Sequence, residues 1–398
     1  ELPPVDVENV NVGGTQNIVD AIKRQPHADQ IRLVYIGTVA QTGSRNPPIH
    51  WGRTGDPICI GYNGHYAGTK TRAEAIVAES GLKQWVSIRQ TGMAHYDMWK
   101  TQGPIMFHNP PNGVMEWSTV EDSARLMAAL CGDSIPEDFW RHFYNIGGGE
   151  AARLVNHQLM VRMMTAMGVS DFRHILDPKW LATRNFHGQW YLDSDRLHEL
   201  VPYRHFSIDD FFAELSRRIP WPIRTIMRLF PGLARKQIRK VAEGPGGPIT
   251  WLRTNDVDHL DAYFGSREEW GHIPSSWDNF PLPQPSRDPV ALAHGYDDAK
   301  PKREWTAGDL TSAAQFRGGK CHANAPEDPF TPVEWECSLG HQFSMSPNLY
   351  LAGGHWCPTC QTDICSYAEA AASNPFFAQV WPGPSAQTSA LATPAPLD

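Results

Sequence analysis

Two short apolar runs of strand length, Ile31–Ile36 and Trp85–Arg89, flank a stretch that suits a helix from Tyr66 onward. That alternation constrains the fold more than any other feature of the chain, because repeated strand and helix signals point to an α/β chain on a parallel sheet. Before the first run, Asn11–Thr15 leads into an apolar-periodic helix through Ile18, Val19, Ala21 and Ile22. The first run ends at Gly37 and Thr38, with Gly43 five residues further on. After the second, Met115–Asp122 precedes a helix from Ser123 to Leu130, and Phe143–Gly149 reads as strand and turn.

Tyr66 and Lys70 stand four apart, so a helix opening at Tyr66 would put both on one face. An ammonium beside a phenol favours phenolate and lowers the tyrosine pKa from about 10 toward working pH, as a general acid/base requires. Tyr66 would then give a proton to a carbonyl or take one from an alcohol, with hydride coming from a cofactor because no side chain supplies one. A tyrosine and a lysine at this spacing also describe an ordinary surface helix. The ordered company of segments around the pair gives it weight.

That order resembles the extended short-chain dehydrogenase/reductase family, the NAD-dependent epimerase/dehydratase group, over about residues 7 to 215. The matching pieces are Asn11–Thr15, Thr38 with Gly43, Tyr66 with Lys70, Ile88-Arg89, Val120–Asp122 and Tyr144–Gly149. Gln90 stands where the family usually has proline, and Thr42 where many members have tyrosine. The resemblance implies a Rossmann-like, doubly wound parallel sheet and NAD(P)-dependent oxidoreductase or epimerase/dehydratase chemistry on a small-molecule substrate. Its implied catalytic set is Tyr66 as acid/base, Lys70 lowering its pKa and holding the nicotinamide ribose, Thr38 on the substrate oxygen and Asn11 positioning a relay water. Cofactor contacts fall on Tyr66, Lys70, Gly37, Arg89, Gln90 and Thr91. The family's G-x-x-G-x-x-G turn after a first strand is not in the sequence, and residue 1 is Glu. The expectation is an N-terminally incomplete copy whose first strands, dinucleotide turn and NAD-or-NADP selector lie upstream. Without those strands a parallel sheet would leave an apolar edge open to aggregation.

The expected layout is a dehydrogenase-like domain over 1–216, a basic helical segment with an aromatic, Pro-rich connector over 217–310, a zinc module over 311–368 and a flexible tail over 369–398. In the first domain Leu154–Met167 carries a methionine stripe of the kind that packs a core, Ser207 is a good helix start, and His187 and Trp190 read as a packed aromatic loop rather than pocket lining. From Arg217 to Lys240 eight Lys and Arg residues interleave with apolar ones, broken by Pro220, Pro222 and Pro231. A helix pair with a solvated basic face is preferred there over contact with an anionic membrane surface.

Cys321, Cys337, Cys357 and Cys360, the last two in Cys357-Pro358-Thr359-Cys360, form the second signal. Four thiolates suit tetrahedral zinc in a zinc-ribbon or treble-clef module too small to fold without a metal, and such a closed site is structural. His341 stands nearby either as a replacement ligand or as a packing residue, and Cys365 as a spare. Few cations accompany the module, so protein interaction or self-association is a better expectation than nucleic acid. With 398 residues, 41 % hydrophobic, 20 % charged and a formal charge of −8, the composition is that of a globular chain. No run of eighteen apolar residues occurs, and cofactor chemistry points to the reducing cytoplasm, with a homodimer as a further expectation. The alternative function is a non-catalytic scaffold that reuses the dehydrogenase fold and presents the zinc module to a protein partner.

Overall fold

The computed structural model describes residues 3–62, 64–100, 103–282, 284–324, 326–362 and 371–380. Its centre is a parallel sheet of β1 (Leu33–Thr38), β2 (Trp85–Gln90) and β3 (His142–Asn145), in that spatial order. Ile36 lies opposite Ile88, and Ile88 opposite Tyr144. Alternation along each strand then sends Tyr35, Trp85 and Phe143 to one face and Val86, Ile88 and Tyr144 to the other. Both faces are covered, so the chain has the α/β, doubly wound architecture expected from the alternation.

The connection from β1 to β2 runs through α2 (His65–Ala78), whose small Ala73 and Ala78 and branched Val77 close on Tyr35 and Trp85. Helix α1 crosses α2; it consists of Pro4–Glu8, a π turn Asn9–Gly13 and Gly14–Lys23. On the opposite face α3 (Val120–Leu130), capped by the Thr119 hydroxyl on the Asp122 amide at 3.1 Å, buries Leu126 and Leu130 against Val86 and Ile88. β1 is the edge of the sheet, and Ile36 is 38 % exposed there.

After β3 come α4 (Asn156–Ala166), α5 (Ser194–Leu200) and α6 (Ile208–Arg218): α5 packs Leu197 on the Val86 and Ile88 face of the sheet, and α4 and α6 build a second core beside it. The methionine stripe is packed there, with Met160, Met164 and Met167 against Phe211, Phe212 and Leu215 of α6. α6 opens on a reciprocal capping box between Ser207 and Asp210. The basic segment is two helices, α7 (Trp221–Leu229) and α8 (Pro231–Ala242), divided at Pro231. Three short helices follow, α9 (Pro248–Thr254), α10 (Val257–Phe264) and α11 (Arg267–His272), and Trp251, Leu260, Tyr263 and Phe264 pack them onto Ala182.

The C-terminal part holds α12 (Ala307–Phe316) and an antiparallel sheet of β4 (Lys320–Cys321), β5 (Val333–Glu336) and β6 (Gln342–Met345). It shares a core with the parallel sheet: Leu310, Trp335, Leu349, Tyr350 and Trp356 join Tyr35, Trp85 and Phe143 in one cluster. Within the segment expected as a tail from residue 369, residues 371–380 are described: α13 (Pro375–Val380) buries Phe376 and Phe377 against Ile58, Ile60 and Ala67, apolar burial that favours docking of the segment. Cys365 and the rest of that expected tail lie outside the described residues.

Gly43 ends the turn after Thr38 with φ +66°, and a Cβ there would stand 2.1 Å from the Cys59 carbonyl oxygen. Gly43→Ala is therefore expected to cost at least about 2 kcal/mol, from left-handed backbone strain plus the clash. Urea unfolding would show it, and a midpoint equal to that of the parent chain would contradict the geometry.

Candidate active site and candidate metal centre

α2 begins at His65 and carries Tyr66 and Lys70 past the C-terminal end of β1. Tyr66 is 51 % exposed, whereas Thr38, at the last position of β1, is buried and accepts the Ala40 amide at 3.2 Å. Burial raises the Tyr66 pKa above that of an ordinary phenol, and hydrogen bonding with Thr38 pulls it part of the way back. Lys70 stands one turn further along α2. Its ammonium donates to the Ile36 carbonyl and sits 4.4 Å from the Tyr35 ring centroid, while burial lowers its own pKa and Glu74 raises it. Asn11 donates to the Thr69 hydroxyl at 2.9 Å, and Thr69 donates to the Tyr66 carbonyl at 2.8 Å. Thus Thr38, Tyr66, Lys70 and Asn11 gather where β1 ends and α2 begins.

The expected cofactor contacts fare differently. Gly37 has no room for a side chain, since a Cβ would meet the Arg89 Cγ at 3.1 Å and the Ser87 Oγ at 3.2 Å. Gln90 is half-buried and accepts from Ser123 at 3.4 Å, and Thr91 donates to the Glu116 carbonyl at 2.6 Å. Arg89 is fully buried and turned to the opposite task. Its guanidinium holds Glu74 at 2.6 and 3.1 Å and the Gly353 carbonyl at 2.6 Å. His187 and Trp190 lie beyond this group. Burial pushes the His187 imidazole down to about 4, and Trp190 is buried edge-on to Trp51.

Glu74 is the residue whose role the sequence hides. Besides Arg89 it accepts from Ser87 at 2.6 Å and Gln41 at 3.2 Å, and it lies 2.8 Å from the His355 Nε2. Burial alone would raise its pKa, but Arg89 and His355 reverse this and hold the carboxyl far below the usual carboxylate range. Arg317 ties the same region together, donating to Gly354, His355 and Gly55 carbonyls at 3.3, 2.7 and 3.5 Å. No spacing rule links Glu74 to His355, which stands 281 positions away.

In the C-terminal sheet the ligand atoms of Cys337, His341, Cys357 and Cys360 all lie within 4.8 Å of one another. Cys337 and His341 flank a tight turn in which the Gly340 amide donates to the Cys337 carbonyl at 3.0 Å and Gly340 has φ +79°. The Sγ atoms of Cys337 and Cys360 are 3.8 Å apart, and the His341 Nδ1 is 3.3 Å from Cys360 and 3.6 Å from Cys357. Tetrahedral zinc with Zn–S bonds of about 2.3 Å implies S···S edges of about 3.8 Å, so the donor set fits such an ion. Cys321 is outside the group, contrary to the expected four-cysteine set. The β4–β5 register places it opposite Trp335, and its Sγ approaches the Ala323 carbonyl at 3.6 Å.

No protein-family model and no curated protein matches this sequence. Solved structures do show likenesses. dTDP-glucose 4,6-dehydratase from Bacillus anthracis, in complex with NAD, is 16 % identical over 55 % of this chain and 70 % of its own, with a TM-score of 0.40. UDP-glucuronic acid 4-epimerase from Bacillus cereus, a mutant in complex with a fluorinated UDP-sugar and NAD, is 15 % identical over 52 % of this chain and 67 % of its own, with a TM-score of 0.39. L-threonine dehydrogenase from Phytophthora infestans is 17 % identical over 53 % and 71 %, with a TM-score of 0.38.

Proposed function

We propose that this chain carries the proton-transfer site of an NAD(P)-dependent oxidoreductase or epimerase/dehydratase of the extended short-chain type. The observation that carries the reading is the gathering of Thr38, Tyr66, Lys70 and Asn11 where β1 meets α2. A hydroxyl acid, a hydroxyl that can hold a substrate oxygen, and a cation suit proton transfer at an alcohol or carbonyl. A half-exposed Tyr66 beside Thr38, with Lys70 one turn along the same helix, supports assigning the nicotinamide-ribose end of a dinucleotide to this end of the sheet. The glycine turn for the pyrophosphate is not among the 398 residues. When bound, the nicotinamide would supply or accept hydride. Tyr66, a neutral phenol at working pH, delivers the proton to the substrate oxygen, Thr38 holds that oxygen, and Asn11 steadies the first turn of α2 through Thr69. Titrating NADH and NADPH fluorescence tests this, with saturable binding of at least one nucleotide expected.

The Cys337, His341, Cys357 and Cys360 cluster supports a second, structural element of the proposal, a closed four-ligand zinc site. Purified protein is expected to hold one zinc per chain by elemental analysis. Cys357→Ser should lose the zinc and lower the melting temperature, whereas Cys321→Ser should keep the metal. Zinc retained by the Cys357→Ser chain would remove the assignment.

One observation favours the scaffold reading instead. Arg89 and Thr91, expected at the cofactor, are both used inside the protein. If neither nucleotide binds, that reading takes over, with the zinc-bearing sheet as the partner-facing part.

A further inference from the structure

We propose that α7 and the first turn of α8 form a foot that docks the protein on an anionic lipid surface. Helix α7 has no buried residue. Its inner side, Ile223 and Met227, leans on the core built by α4, α6 and α8. Its outer side leaves Trp221 76 % exposed, with Ile226 and Leu229, and the chain continues into equally open Phe230 and Leu233, the latter 61 % exposed. At a hundred degrees per residue, Trp221, Leu229 and Ile226 fall within one broad outward arc. Five large apolar side chains exposed within thirteen positions are a concentration unlike the single exposed apolar residues normal on a surface.

Charge selects the occupant. Residues 217–243 contain eight Lys or Arg and a single carboxylate, Glu243, in a chain whose formal charge is −8. Arg217 and Arg218 share Glu214, Arg235 meets Asp177 and Arg239 meets Glu243. Among the described residues, Arg228, Lys236 and Lys240 have no carboxylate within salt-bridge distance. Exposed tryptophan, leucine and phenylalanine side chains on the same two helices as cations without a carboxylate partner have the composition of a segment lying in a headgroup layer. A second copy would bring the same cations to a two-fold contact and repel. Among the described residues no helix is long and apolar enough to cross a membrane, so the contact would be peripheral.

Flotation with phosphatidylcholine vesicles, with and without phosphatidylserine, tests the foot. The full chain is expected to float with the anionic vesicles at least roughly tenfold more than with neutral ones, and to be released as salt rises. Trp221→Ser with Leu229→Ser, both on exposed positions, should reduce flotation by roughly tenfold. Arg228→Glu with Lys236→Glu and Lys240→Glu should abolish the preference for anionic lipid. Three results overturn the proposal: no flotation with anionic vesicles, equal flotation with neutral ones, or unchanged flotation of the Trp221/Leu229 variant. A concentration-dependent dimer in light scattering that this variant dissolves would assign the patch to a second copy instead.

Discussion

Tyr66→Phe is expected to lower turnover by about a hundredfold to ten-thousandfold while leaving nucleotide affinity and the melting temperature unchanged. The range is what a positioned general acid contributes, and the Tyr66 residue is half exposed and keeps its ring, so little packing goes with the lost hydroxyl. The pH profile makes the test sharper. Burial raises the Tyr66 pKa, so the phenol remains a proton donor across neutral pH and carbonyl reduction should proceed there without a falling limb. Alcohol oxidation needs the phenolate and should rise toward alkaline pH, a limb that the Phe chain lacks. Thr38→Val should cost less, because it removes a hydrogen bond and not the proton. A Tyr66→Phe chain that turns over any carbonyl or alcohol substrate at the parent rate would end the catalytic proposal. If no nucleotide binds the parent chain, the failure lies earlier, at the cofactor.

Glu74→Gln should be the most destabilising single change in this region, by about 3 to 5 kcal/mol, because it leaves the Arg89 guanidinium buried without its counter-charge. That is a large share of the roughly 5 to 15 kcal/mol available to a folded domain. The folded-state pKa of Glu74 lies below its unfolded value, so its contribution is fully present above the ordinary carboxylate pKa. It is lost as pH falls from that value through the depressed one. Acid unfolding of the parent should therefore steepen below the carboxylate range, and the Gln chain should lack that part of the slope. Replacing Glu74 and Arg89 together by leucine and methionine should recover only part of the loss, since it removes the unpaired charge but leaves Ser87, Gln41, His355 and the Gly353 carbonyl without the partners they have here. An unfolding free energy from urea denaturation of Glu74→Gln within about 1 kcal/mol of the parent would show that the network contributes little.

Much of the chain was legible because the relevant signals are local. Ile31–Ile36, Tyr66 and the run at Trp85 declare strand, helix and strand through neighbours a few positions apart, and the structure has β1, α2 and β2 there. The Cys357–Cys360 knuckle was equally visible, because two ligands on one short turn leave a fixed spacing. The fourth ligand was not. Cys321 and His341 both lie within reach along the chain, and only the β4–β5 register, which pairs Cys321 with Trp335 and leaves His341 across the turn from Cys337, separates them. The basic segment was read as two helices with a solvated cationic face, and two helices are there. Which apolar residues would find a core depended on how α7 rests against α4, α6 and α8, and Trp221 and Leu229 found none.

By itself, then, the sequence determined the main strands and helices and the parallel α/β class, since hydrophobic periodicity and capping act over one or two turns of chain. Tertiary structure alone decided that Lys70 donates to the Ile36 carbonyl, and that Arg89 is spent on Glu74. It also placed His355, from the far end of the chain, on that same carboxylate, fusing the cysteine-bearing part to the sheet. The physical reason is that burial and charge compensation are set by whichever groups meet in the interior, and no spacing along the chain records who those neighbours will be.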